Sequence, residues 1–186
     1  MNRHTSSHRQ SVILAVCSMT VALSAVVMLT SSLLTIMTYA APLMAGILLI
    51  PVMLEFGQQY AWLTWFAAAL LTLILGFDKE LALFYLCFGF YPVLKPRLDR
   101  IPTKPMRLTV KLLLFTVLLS ALYAFLILVL HLDSVVQDFA EMGQVFSILF
   151  LIALDCCLLL YDHLLGSMMF IYIRRFREKF RHTLRI

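Results

Sequence analysis

Of the 186 residues, 62% are hydrophobic and 13% charged, against roughly 45–50% and 25% in soluble globular domains, which excludes a water-soluble fold. A bilayer-crossing helix takes about 20 apolar residues, so about six spans nearly exhaust the chain and leave no length for a separate soluble domain. The net charge of +5 would raise nucleic acid as a partner in a soluble protein, but the charges gather at the ends of apolar runs and no nucleic-acid-binding fold accompanies them.

The first apolar run, 12–34, follows a short polar segment with Arg3 and Arg9. Its length, and the five apolar runs behind it, predict a retained helix rather than a cleaved signal peptide. It carries Ala15, Ser18, Ala22 and Ala25 at helical spacing, a stripe of small side chains that lets a second helix backbone, of this chain or of a partner, come close. The second helix, 38–54, is interrupted by Pro42, Gly46 and Pro51, and freed carbonyls at membrane depth are tolerated only against protein or a watery cavity. The third, 60–76, begins with Trp62 and Trp65, which read as interfacial anchors. The fourth, 81–94, has 14 residues, short for a crossing, so it is tilted, partly re-entrant, or lengthened into Lys95 despite Pro92 and Pro96. Helices five and six cover 108–131 and 145–173, and a basic tail follows over 174–186. The segment from Gly76 to Arg100 is dense in aromatics, glycine and proline, and reads either as a shaped functional element or as an aromatic belt with a tight helix end.

Cytoplasmic loops collect Lys and Arg, and six crossings satisfy this rule where five would put one basic cluster on the wrong side. With the N-terminus inside, Arg3 and Arg9, the cluster from Lys95 to Lys111, and the tail from Arg174 to Arg185 are all cytoplasmic, leaving Lys79 alone outside among fifteen basic residues. The expectation is therefore one all-α polytopic membrane domain over 1–186 with both termini cytoplasmic. The tail interleaves Phe170, Tyr172, Phe176 and Phe180 with its charges, which suits the anionic inner surface of a membrane. Cys17, Cys87, Cys156 and Cys157 all fall inside apolar runs and read as small hydrophobes rather than disulfide partners or metal ligands.

Asp155, Asp162 and His163 stand inside the last apolar run, where ionisable groups cost several kcal/mol unless paired or hydrated. The two aspartates are seven residues apart, which puts them on one helix face roughly 10 Å apart along the axis. That is too far to share a proton as a catalytic dyad. They are candidates for a functional site; equally, Asp162 pairs with Lys95, Arg97 or Arg174 and ties helices together.

Asp78-Lys79, the run Phe88-Gly89-Phe90-Tyr91-Pro92-Val93-Leu94-Lys95, and Tyr161-Asp162 followed by Tyr172 and Arg174-Arg175 resemble a group of small Gram-positive membrane proteins. In size, six-helix layout and small-residue first helix, these are similar to the substrate-binding S components of energy-coupling factor transporters. The resemblance implies capture of a micronutrient near the outer face and docking, through the first helix, onto a transmembrane coupling subunit and two ATPases. That family docks through an Ala-xxx-Ala pattern; this chain has Ser18-xxx-Ala22, with Thr20-xxx-Ser24 as a second possibility.

The chain has no Gly-x-x-x-x-Gly-Lys-Ser/Thr phosphate loop, so ATP hydrolysis would fall to partners. It also has no His-Glu-x-x-His or Gly-x-Ser-x-Gly, so no enzyme, metal or cofactor is expected. The leading expectation is a bacterial plasma-membrane substrate-binding subunit whose ligand meets Asp155, Glu80, Tyr85, His131 and Gln144. The alternative is a scaffold or accessory membrane protein without a small-molecule ligand.

Overall fold

The computed structural model describes residues 3–33, 40–75, 79–130 and 133–176. They form eight α-helices: α1 (Arg3–Leu33), α2 (Ala40–Ile47), α3 (Leu49–Phe56), α4 (Gln58–Leu75), α5 (Lys79–Phe88), α6 (Tyr91–Leu98), α7 (Lys104–Leu130) and α8 (Asp133–Ile171), with a π-helical turn at Tyr172–Phe176. Four of them, α1, α4, α7 and α8, contain stretches long and apolar enough to cross a membrane. Large apolar side chains stand bare along them, Leu14, Met19, Leu63, Ile74 and Leu113 among them, a surface that water would not tolerate and lipid does. The chain is an all-α, membrane-embedded protein.

The helix boundaries differ from the sequence expectation where proline or polarity intervenes. The second and fourth helices are each two pieces. Pro51 has no N–H for the Ile47 carbonyl four residues earlier, and the helix breaks at Leu48, between α2 and α3. Pro92 leaves the Phe88 carbonyl free in the same way, and the break falls at Gly89–Phe90. Beyond it α6 runs past Lys95, with Pro96 inside, so the short fourth run is a broken helix of normal span. The last helix begins at Asp133, twelve residues ahead of the expected 145, because Asp, Gln and Glu are compatible with helix even where apolar periodicity is absent. The first helix likewise begins at Arg3 rather than near 12.

Two compact units divide the chain, one made of Met1–Leu94 with Leu165–Ile186 and the other of Lys95–Leu164. In the first unit, one buried cluster joins Met28 of α1, Ala45 of α2, Ala68 and Ala69 of α4, and Leu81 and Tyr85 of α5. A second joins Leu49, Val52 and Met53 of α3, Ala61 of α4 and Val93 of α6, with Val16 and Cys17 of α1 packed against it. Early α1, α3, early α4 and α6 therefore share one level, and late α1, α2, late α4 and α5 the other. Among the described residues, this unit makes four alternating passes. Ala25, Ala41, Ala45, Ala61, Ala68, Ala69 and Ala82 are all buried, and small side chains at helix contacts are what close packing in lipid uses.

The turn between α3 and α4 is a single residue. Gly57 has φ +97° and ψ 170°, and its N–H donates to the Met53 carbonyl at 3.1 Å, a positive-φ cap that glycine adopts because it has no Cβ. In the second unit, α7 leaves and α8 returns. Lys111, Phe115, Leu119 and Leu122 form the buried face of α7 at helical spacing.

Candidate functional site

The densest chemistry lies in the Lys95–Leu164 unit, where α6, α7 and α8 bring four charges together. Asp162 Oδ1 accepts from Lys95 Nζ, and its Oδ2 accepts from Lys111 Nζ at 2.7 Å. Lys111 also reaches Asp99 Oδ1 at 2.7 Å, and Lys95 lies 3.4 Å from Asp99 Oδ2. The two lysine side chains are 5% exposed, against 15% for Asp162 and 37% for Asp99. Two cations and two anions close into a neutral ring, and each Asp162 oxygen has its own ammonium. Lys95, one of the three cations that the sequence offered, is a partner of Asp162; Lys111 and Asp99 were not among those expected in the cluster. Lys111 stands eight residues into α7, at the start of an apolar face, and that intrahelical position was the signal for it.

Asp155, two turns earlier on α8, has a different environment. Its Oδ2 lies 3.1 Å from Thr116 Oγ1 of α7, and its Oδ1 is buried with no hydrogen-bond partner among the described residues. The pairs 155–116 and 162–111 run in opposite directions along the two helices, as antiparallel neighbours require. His163 is exposed and stands outside the ring of four charges.

In the other unit Tyr85 is fully buried, packed against Met28, Ala45, Ala68, Ala69 and Leu81. Its hydroxyl lies beside that of Ser24, also fully buried, yet the two miss hydrogen-bond geometry and neither has another partner among the described residues. Ser24 differs in this from Thr20, Thr64 and Thr72, whose hydroxyls donate to the carbonyl one turn back and so cost little in lipid. The ring of Tyr85, one of the expected ligand contacts, fills the space that the surrounding alanines leave. Glu80 is half-buried in the first turn of α5. His131 and the side chain of Gln144 lie outside the described residues; of the other expected ligand contacts, Glu80 and Tyr85 belong to one unit and Asp155 to the other.

The Phe88–Lys95 run turns out to be a packing device. The Gly89 N–H donates to the Tyr85 carbonyl at 2.7 Å, and a Cβ on Gly89 would sit 2.5 Å from that oxygen and 2.6 Å from the Tyr85 ring. Phe90 then stacks on Trp62, with centroids 5.6 Å apart, and meets Trp65 edge-on at 5.5 Å. Gln58 Nε2 donates to the Val93 carbonyl at 2.8 Å. The two tryptophans therefore pack α4 against the broken α5–α6 pass, which the interfacial-anchor reading did not foresee. The four thiols are free; Cys17 and Cys87 are half-buried, whereas Cys156 and Cys157 are exposed on α8, where an apolar side chain suits lipid.

On α1 the small-residue stripe is divided. Ala25 is buried, whereas Ala15, Ser18 and Ala22 are exposed. Ser18 donates to the Ala15 carbonyl at 3.0 Å, which hides its polarity. Ser18 and Ala22, with Ile13, Leu14, Cys17 and Val21, line one wall of a groove of about 670 Å3; Leu63, Thr64, Ala67 and Leu71 of α4 line the other. No family model matches the chain, and no curated protein or solved structure matches it.

Proposed function

We propose that the protein is a membrane-embedded substrate-binding subunit of a bacterial micronutrient importer, seated in the plasma membrane and driven by ATPases on separate chains. One observation supports this reading most. The Ser18–Ala22 part of the α1 stripe is not used inside its own unit; it is presented on the wall of an open apolar groove against α4. A small-residue helix face left bare beside a groove suits a helix of a membrane partner. The chain's lack of a phosphate loop fits a division of labour in which the partner couples to ATP.

The test is co-purification of the tagged protein with coupling subunits of its host, comparing wild type with Ser18→Leu and Ala22→Leu. Both positions are exposed, so the larger side chain fills the groove and leaves the core alone. Recovery of the coupling subunits with wild type, reduced at least tenfold in both variants, supports docking. No recovery with well-folded wild type sinks it.

A second reading, a scaffold or accessory membrane protein, is favoured by the ring of Lys95, Lys111, Asp99 and Asp162. A neutral, fully paired cluster fixes helix positions without needing a ligand.

A further inference from the structure

Within α8 the fold treats two carboxylates two turns apart in opposite ways. Asp162 has an ammonium on each oxygen. Asp155 has, at most, one hydroxyl proton. Thr116 Oγ1 lies 3.0 Å from the Leu112 carbonyl and 3.1 Å from Asp155 Oδ2, and a threonine has a single O–H to donate. If it serves the carbonyl, the carboxylate has no donor at all among the described residues, since Oδ1 is buried and unpartnered.

The charges around it do not compensate. Among the described residues Lys95 and Lys111 are the buried cations of this unit, and both are committed to Asp99 and Asp162. The ring of four sums to zero, so an ionised Asp155 is a negative charge with no buried cation of its own among the described residues, an arrangement that costs several kcal/mol in a membrane unless a cation or a proton neutralises it.

We infer that Asp155 and Thr116, at the α7–α8 seam, form a site for a single positive charge, either a monovalent metal ion or the ammonium group of a substrate. The carboxylate supplies the charge and one or both of its oxygens. Thr116, when it donates to the Leu112 carbonyl, turns its lone pairs toward the same point. Ser120, one turn on along α7, donates to the Thr116 carbonyl at 2.7 Å, so that carbonyl is already occupied and the donor set stays small. A divalent ion wants six or more oxygens or several carboxylates, and no group of three or more His, Cys, Asp or Glu side chains converges among the described residues. This inference does not depend on docking through α1.

The experiment uses the full chain in lipid nanodiscs and follows thermal unfolding. Sodium, potassium or methylammonium chloride is titrated against N-methylglucamine chloride at constant ionic strength. One of the three cations is expected to raise Tm saturably, by about 5 °C at a hundredfold excess over its Kd. Saturation by sodium or potassium assigns an inorganic ion, and a response to methylammonium alone assigns a substrate ammonium. Asp155→Asn should abolish the response while keeping Tm in N-methylglucamine at or above wild type, because the unbalanced charge is gone. Thr116→Val should raise the half-saturating concentration about tenfold. A wild-type Tm indifferent to all three cations overturns the site. So does a response that survives Asp155→Asn, or a lower Tm for that variant in every salt. The wild-type titration decides even if a variant fails to fold, and the co-purification result is read separately.

Discussion

Among the described residues, the buried polar side chains of the unit that holds α1 to α5 are those of Ser24, Ser31, Thr64, Thr72 and Tyr85, all hydroxyls, beside a half-buried Glu55; those of the Lys95–Leu164 unit are the ammonium groups of Lys95 and Lys111. The two threonines satisfy their hydroxyls on their own helix, and those of Ser24 and Tyr85 stay unpaired among the described residues at modest cost. The charges have to find one another, and the ring of Lys95, Lys111, Asp99 and Asp162 spans three helices. Close packing of small residues holds the first unit and electrostatic pairing the second, so the two should fail differently when altered.

The largest effect is expected at Asp162. Asp162→Asn leaves two lysines of 5% side-chain exposure with only the half-exposed Asp99, and removal of one partner from a buried charge cluster costs about 3–5 kcal/mol. A double-mutant cycle with Lys111→Met sharpens the comparison. If Asp162 and Lys111 are coupled, the double variant loses less than the sum of the two single ones; strict additivity of the Tm changes would show the ring to be energetically idle.

Next comes Gly89→Ala in the other unit. The added methyl meets the Tyr85 carbonyl and ring at 2.5 and 2.6 Å, an overpacking of the kind that costs about 1–3 kcal/mol. The loss should leave the ion ring untouched, so combining it with Asp162→Asn should be additive. An unchanged Tm for Gly89→Ala would mean that the α5–α6 break relaxes freely.

The smallest effect is at Tyr85→Phe. Its hydroxyl lies beside Ser24 without a hydrogen bond, so removing it should leave Tm unchanged or raise it by the equivalent of about 1 kcal/mol. A clear fall would show that the two hydroxyls bond in the membrane and that this interior, too, relies on polar pairing.

The sequence marked the charges well. Asp155 and Asp162 stood out because an aspartate in an apolar run is costly wherever it points, and Lys95 was within reach as Asp162's partner. Gly76–Arg100 also stood out, through its glycine, prolines and aromatics. What they do there was not legible. The run reads equally as a shaped element or as a belt with a tight helix end until the Tyr85 carbonyl is found beneath Gly89, and Trp62 and Trp65 read as interface anchors until Phe90 is found packed against both rings. The α1 stripe shows the same limit, since spacing puts Ala15, Ser18, Ala22 and Ala25 along one side of a helix but cannot tell that Ala25 is buried and the other three are bare.

Composition and apolar run length by themselves determined that this chain is helical and membrane-embedded, because in lipid a backbone must satisfy its own hydrogen bonds and a helix does so locally. The two prolines at the breaks, Pro51 and Pro92, also act locally, by removing a donor. Pairing and exposure are not local. That Lys111 closes the ring on Asp162 while Asp155 is left with one threonine was decided only by how α7 registers against α8, which depends on side chains dozens of residues apart.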